Sequence, residues 1–207
     1  MKKIIYISIL ITFLLPSHLL GALVTKTLVK DAQAKHGDFA KKRFLSLYKD
    51  LLVKLKNKSE MEKLTAVNEW YNYIQYRSDI KVYGITDHWA ALYEFVGRGM
   101  GDCEDYTIAK YCTLKALGVS PKKMKFGYVV YKSRSGKNIS HMILAYLTKA
   151  KPKSKKDILI LDNINKKILP ASKRKDIIKL VKLMNGDTGA ASKKWKQMQL
   201  DMKRKKL

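Results

Sequence analysis

Apolar residues recur at helical spacing through the first part of the chain. Phe44, Leu47, Tyr48, Leu51, Leu52 and Leu55 fall three or four apart, with Lys and Asp between them. That is the mark of an amphipathic helix with one wet, basic face, and it predicts helix within residues 23–58. Leu64, Val67, Trp70, Tyr71 and Ile74 repeat the pattern over 64–75. Gly84 ends the next stretch, residues 87–96 are aromatic-rich, and 97–101 is a glycine-rich bend. From Asp102 the helical pattern returns, with Ile108, Ala109, Cys112 and Ala116 on one face and stop signals at Gly118 and Pro121. After Pro121 the period changes to two. Residues 123–131, 139–147 and 157–163 read as strands, joined by a tight polar connection at 133–137 and a longer Lys-rich one at 148–156. Residues 176–184 read as a last helix before Asn185-Gly186. Helices, then a small antiparallel sheet, then a helix make an α+β arrangement.

The start of the chain is different. Lys2 and Lys3 precede a mostly apolar run over 4–15, Pro16 breaks it, and Gly21 and Ala22 follow. Twelve helical residues rise about 18 Å, short of the roughly 30 Å of a bilayer core. The layout predicts a cleaved secretory signal over 1–22 and no stable membrane insertion afterwards. The rival is an uncleaved anchor running on to Val24. The remaining residues, 23–207, suit a single domain with a basic C-terminal tail, located outside the cytoplasm.

Charge sharpens this. The chain has 207 residues, 43 of them Lys or Arg against 17 Asp or Glu, for a net charge of +26. Only six are Arg. Nucleic-acid readers lean on the flat guanidinium fork, so this Lys-dominated excess reads first as a basic solvated surface. Two Cys exclude a disulfide-dense scaffold.

Cys103 follows the glycine-rich bend and opens a helix. Unpaired N–H groups and the helix dipole favour an anion there, and the thiolate is the nucleophile. Cys112 lies nine residues on, roughly 13–14 Å along the axis. A disulfide needs Cα atoms within about 7 Å, so the two should not bridge. Cys112 reads as a small buried residue. A reactive thiol needs a base. His141 opens one predicted strand and Asp162 closes the next, so antiparallel pairing brings them to one edge of the sheet. An Asp beside a His fixes its tautomer and leaves the other nitrogen for the thiol. The alternative is a purely structural His141. His88 sits among aromatics with no strand to aim it, and His36 lies in a polar segment. Asp102, Glu104 and Asp105 crowd Cys103 with carboxylates, which oppose thiol ionisation. They are either helix caps or oxygen ligands for a hard cation such as calcium.

The segments VNEWYNYIQYRSDI (67–80), DHWAALYEFVGRGMGDCEDYTIAKYCTLKALGV (87–119), HMILAYL (141–147) and LDNI (161–164) resemble the bacterial transglutaminase-like cysteine proteinases of the LapG type. The likeness covers most of residues 60–184. It implies a papain-like or transglutaminase-like fold, with N-terminal helices packed on a small antiparallel sheet. It implies a catalytic triad of Cys103, His141 and Asp162, and calcium held by Asp102 and Glu104. It further implies a periplasmic protease that clips the N-terminal region of a large surface adhesin at an alanine pair, releasing cells from a biofilm. An inner-membrane cyclic-di-GMP receptor would act as its inhibitor. The family often has a proline soon after the aromatic stretch, where this chain reads DHWAALYE; a loop change is the expected result. Two rivals stand beside hydrolysis. The same triad serves acyl transfer to an amine, and the basic surface would serve a non-catalytic binding protein. Trp89 is either packed aromatic or a second oxyanion donor.

Overall fold

The structure is a computed structural model describing residues 23–186, 193–205 and 207. The signal read over 1–22 lies outside the described residues. Among those described, no helix is long and apolar enough to cross a membrane.

Helix α1 (Lys26–Ser46) is capped by Thr25, whose hydroxyl accepts the Leu28 N–H at 3.2 Å. It runs on through a wide turn over Leu47–Val53. Leu28, Ala32, Ala40, Phe44, Leu47, Leu51 and Leu52 are buried along it, on either side of a kink at Gly37, whose φ of 78° is not helical. Helix α2 (Glu60–Tyr71) opens on a capping box, with Ser59 and Glu62 bonding each other's backbone N–H. Two short helices, α3 (Asp79–Tyr83) and α4 (Leu92–Arg98), precede helix α5 (Cys103–Ala116). Strands β1 (Gln75–Tyr76) and β2 (Met100–Gly101) pair in parallel just ahead of α5.

The main sheet holds β3 (Met124–Lys132), β4 (Asn138–Leu147), β5 (Ile158–Leu161), β6 (Leu169–Pro170) and β7 (Ile177–Asn185). Its order is β6-β5-β4-β3-β7, antiparallel throughout. Alternation sends Met142, Leu144 and Tyr146 into the main core with the helices, and Val129, Ile143, Ala145 and Ile160 into a small cluster on the opposite face.

One element differs from its sequence reading. Residues 176–184, expected as a helix, form edge strand β7 instead. Register shifts interrupt its pairing with β3 at two places, so Ile177, Leu180 and Leu183 lie opposite Tyr131, Val129 and Gly127. Each bulge adds a residue, and two of them turn a period of two into a period of three. The apolar spacing therefore imitates a helix. The closing helix comes from the basic tail: α6 (Lys193–Lys203) buries Trp195 and Met198.

Trp195 meets Phe126, Tyr111 and Trp89 edge-on, at centroid distances of 5.2, 6.3 and 6.5 Å. It joins the tail to the core of α5 and β3. Trp195→Ala should destabilise the fold by about 3–5 kcal/mol in chemical denaturation; a change under about 1 kcal/mol would show that α6 is not part of the cooperative core.

Candidate active site

Cys103 is the first residue of α5 and Asp102 is its N-cap. The Asp102 N–H donates to Asp105 Oδ2 at 3.2 Å, and Asp105 Oδ1 accepts the Ala90 N–H at 2.8 Å. The helix start is thus tied to the aromatic segment before α4. Gly101 allows the close approach: a Cβ there would stand 2.7 Å from the Phe95 ring and against the Asp105 carboxylate. Thr107 then stitches the first turn of α5 to β4. Its hydroxyl reaches the Cys103 carbonyl at 2.8 Å and the Met142 carbonyl at 3.2 Å.

Strand β5 pairs with β4 only from Leu144 onward. The edge of β4 beside His141 and Met142 is left uncovered by β5, and the Met142 carbonyl there accepts from the Thr107 hydroxyl of the first turn of α5. The helix start and the strand residue after His141 are therefore in contact.

Ala145 pairs with Ile160, so the His141 and Asp162 rows share one face of the sheet. His141 Nε2 lies 2.7 Å from Asp162 Oδ1, both side chains buried. Nδ1 is left as the nitrogen able to exchange a proton with a thiol. Asp162 Oδ1 also accepts the Ile164 N–H at 3.0 Å, and Oδ2 accepts from Arg174 Nη2 at 2.6 Å. Arg174 is itself buried and is steadied by Asp176, at 2.8 Å from Nε and 2.7 Å from Nη2. Burial opposes ionisation of Asp162. The His141 hydrogen bond and charge, then the Arg174 charge, overcome it and hold the carboxyl well below the usual range. Arg174 was not singled out from sequence. The available signal was its rarity, one guanidinium among six in a lysine-dominated chain.

The other candidates are placed elsewhere. His88 Nε2 meets Glu94 Oε2 at 3.0 Å and its ring packs 4.1 Å from Tyr83. His36 lies beside Gly97 at the end of α4. Trp89 is buried in the core. Cys103 and Cys112 form no disulfide, as their helical separation required, and Cys112 packs against the main core.

Around Cys103 the carboxylates converge. The thiol donates to Glu104 Oε2 at 3.0 Å. Burial, then Glu104 and Asp102, push its pKa well above the ordinary thiol value. Ligand-capable atoms of Asp79, Asp102 and Asp105 lie within 4.8 Å of one another, as do those of Asp79, Asp87 and Glu104, and of Asp102, Cys103 and Glu104. Asp79, the first residue of α3, escaped the sequence reading because only the fold brings it here. One oxygen of Asp79 accepts the His88 N–H at 2.5 Å; its Oδ1 and the Oδ1 of Asp102 are buried with no hydrogen-bond partner. Burial raises Asp79 to about 6 and, with Glu104 beside it, Asp102 to about 8. Orphaned carboxylate oxygens in a crowded group are what a hard cation with oxygen ligands would satisfy.

Asp162 has a depressed folded pKa, so the stability it contributes is present above about pH 3.9 and is lost as pH falls towards the folded value. Arg174→Met removes its buried partner. It should cost about 3–5 kcal/mol at neutral pH and move the acid-unfolding midpoint upward. Thermal melts from neutral pH into acid check this; an unmoved acid midpoint would contradict the role given to Arg174.

Residues 47–201 match the family of bacterial transglutaminase-like cysteine proteinases. No curated protein matches the chain. Among solved structures, Legionella pneumophila LapG is 34% identical over 87% of this chain and 96% of its own, with a TM-score of 0.67. Its calcium-bound form is 31% identical over 85% and 97%, at 0.66, and its EGTA-treated form 33% identical over 87% and 96%, at 0.67. The mixed layout of helices on a five-stranded antiparallel sheet is the transglutaminase-like fold. A family match over most of the length and a shared fold agree on one assignment: the chain belongs to the bacterial transglutaminase-like cysteine proteinases and is a cysteine protease.

Proposed function

We propose that the chain is an exported, calcium-dependent endopeptidase with a Cys103–His141–Asp162 triad. Its substrate is the N-terminal region of a large surface adhesin, cut at an alanine pair, and an inner-membrane cyclic-di-GMP receptor restrains it. The observation that carries this is the 2.7 Å bond between His141 and Asp162, on the strand whose next residue, Met142, is tied through the Thr107 hydroxyl to the Cys103 end of α5.

Cys103 gives its proton to His141 Nδ1 and its sulfur attacks the scissile carbonyl carbon. The carbonyl electrons move onto oxygen, and the Cys103 N–H at the helix start donates to the oxyanion. Asp162 stabilises the imidazolium. The oxyanion collapses, the C–N bond breaks, and His141 passes its proton to the leaving amine. Water then attacks the thioester, giving a proton to His141 and releasing the acid, and the proton returns to sulfur.

The Cys103 thiol donates to Glu104, and burial together with the neighbouring carboxylates opposes its ionisation. Asp79, Asp102 and Glu104 are the residues that would hold calcium. The bound ion would supply positive charge against the local carboxylates, lowering the cost of the thiolate. The calcium-bound relative and the orphaned oxygens of Asp79 and Asp102 support this. Lys2, Lys3, the apolar run over 4–15 and the small residues at 21 and 22 support export. The lysine-rich surface would suit an acidic adhesin, although a basic solvated surface is the simpler account of it.

The test is a purified N-terminal adhesin fragment containing an alanine pair. The wild-type chain should cut it once. EGTA should stop the cut and calcium restore it. Cys103→Ala should leave it whole with an unchanged circular dichroism spectrum. Cutting by Cys103→Ala, or after thorough chelation, would overturn the triad or the calcium role respectively. A labelled amine in the mixture separates transfer from hydrolysis: incorporation at the cut would favour an acyl transferase.

A further inference from the structure

A buried lysine lies at the centre of a polar cluster behind Asp162. Lys110, in the middle of α5, is 1% exposed. Its Nζ donates to Asn68 Oδ1 at 2.8 Å and to Asn72 Oδ1 at 2.9 Å, and it stands 5.7 Å from the centre of the Tyr106 ring. Asn68 belongs to α2 and Asn72 is that helix's C-cap. Four residues apart, they point the same way from one helix face. Both are buried.

An ammonium has donors only, so each amide must turn its oxygen towards it and its NH2 away. The outward NH2 groups both land on one loop. Asn72 Nδ2 donates to the Asp162 carbonyl at 2.9 Å, and Asn68 Nδ2 to the Lys166 carbonyl at 2.8 Å. Both carbonyls belong to the loop that leaves β5, Asp162 at its start and Lys166 four residues on. One amine therefore fixes two amides, and each amide grips one point of the loop.

We propose that Lys110 is a positioning residue: through Asn72 and Asn68 it clamps residues 162–166 and so holds the Asp162 carboxylate on His141. This rests on the catalytic reading of that pair. A buried lysine is a costly way to fill a core, since burial works against its charge. Burial indeed pulls its amine down to about 7, while the Asp162 charge works the other way. What a methionine of similar length cannot supply is orientation. Without the ammonium the Asn72 oxygen loses its partner, and a flipped amide would set that oxygen against the Asp162 carbonyl.

The experiment compares wild type with Lys110→Met and Asn72→Ala, each in the full chain with calcium present. Two quantities are read: steady-state cutting of the adhesin fragment, and the downfield proton resonance of the His141 ring N–H that bonds Asp162. The clamp predicts that kcat falls roughly 10–100-fold with KM little changed, because a small displacement of a catalytic group is felt in the chemical step. It predicts that the resonance is lost or moves upfield. The double variant should be no worse than the poorer single, since both cut the same chain of bonds. Asn72→Ala leaves Lys110 bonded to Asn68 and carries the test should Lys110→Met not fold. A folded variant with kcat within about twofold of wild type and an unmoved resonance would overturn the proposal. The resonance also keeps this separate from the protease reading: it answers the question of the clamp even if no adhesin fragment is cut.

Discussion

Asp162 is where the structure's separate parts meet. Its carboxylate is divided between the His141 ring, the Arg174 guanidinium and the Ile164 N–H, while its own carbonyl accepts from Asn72. Those partners come from β4, the stretch after β6, the following loop and the end of α2. An ionised carboxylate with no water around it is tolerated only when every lone pair is used. That requirement explains why β5 stops after four residues: the backbone must turn there for the side chain to collect its donors. It also explains the rare buried arginine. Arg174 adds its positive charge to the His141 hydrogen bond and charge in holding the Asp162 carboxyl low.

Cys103 faces the opposite electrostatic condition. A helix start favours an anion, yet Asp79, Asp102, Glu104 and Asp105 surround this one with carboxylates. Burial adds to the opposition, and the thiol gives its hydrogen to Glu104. The acidic cluster and the Asp162 site are therefore two opposite halves: hydrogen bonds and positive charge hold the Asp162 carboxyl low, while burial and carboxylates hold the thiol high. The Thr107 bonds to both Cys103 and Met142 keep the two halves in register.

Much of this was legible in the sequence because local periodicity and local chemistry carried it. The start of α5, the β3–β4–β5 meander, the absence of a disulfide and the meeting of His141 with Asp162 follow from spacings of 3.6 and two. The failures have a different physical origin. β7 reads as a helix because two bulges space Ile177, Leu180 and Leu183 by three. α6 hides in a lysine-rich tail because its apolar contribution rests on a few residues, chiefly Trp195 and Met198. Arg174, Asp79 and the Lys110 cluster owe their meaning to partners tens of residues away. Lys110 even lies inside the most family-specific stretch, GDCEDYTIAKY, where only the thiol and its carboxylates announce their chemistry.

The central claim is that Cys103 and His141 act as one acid–base couple steered by Asp162. Its most direct test is the pH dependence of Cys103 alkylation by iodoacetamide, with calcium present and the modified residue identified by peptide mapping. Wild type should react well below an ordinary thiol pKa of about 8.5, and a folded His141→Ala variant should lose that reactivity and titrate like a simple buried thiol. Identical alkylation profiles for the two would contradict the account.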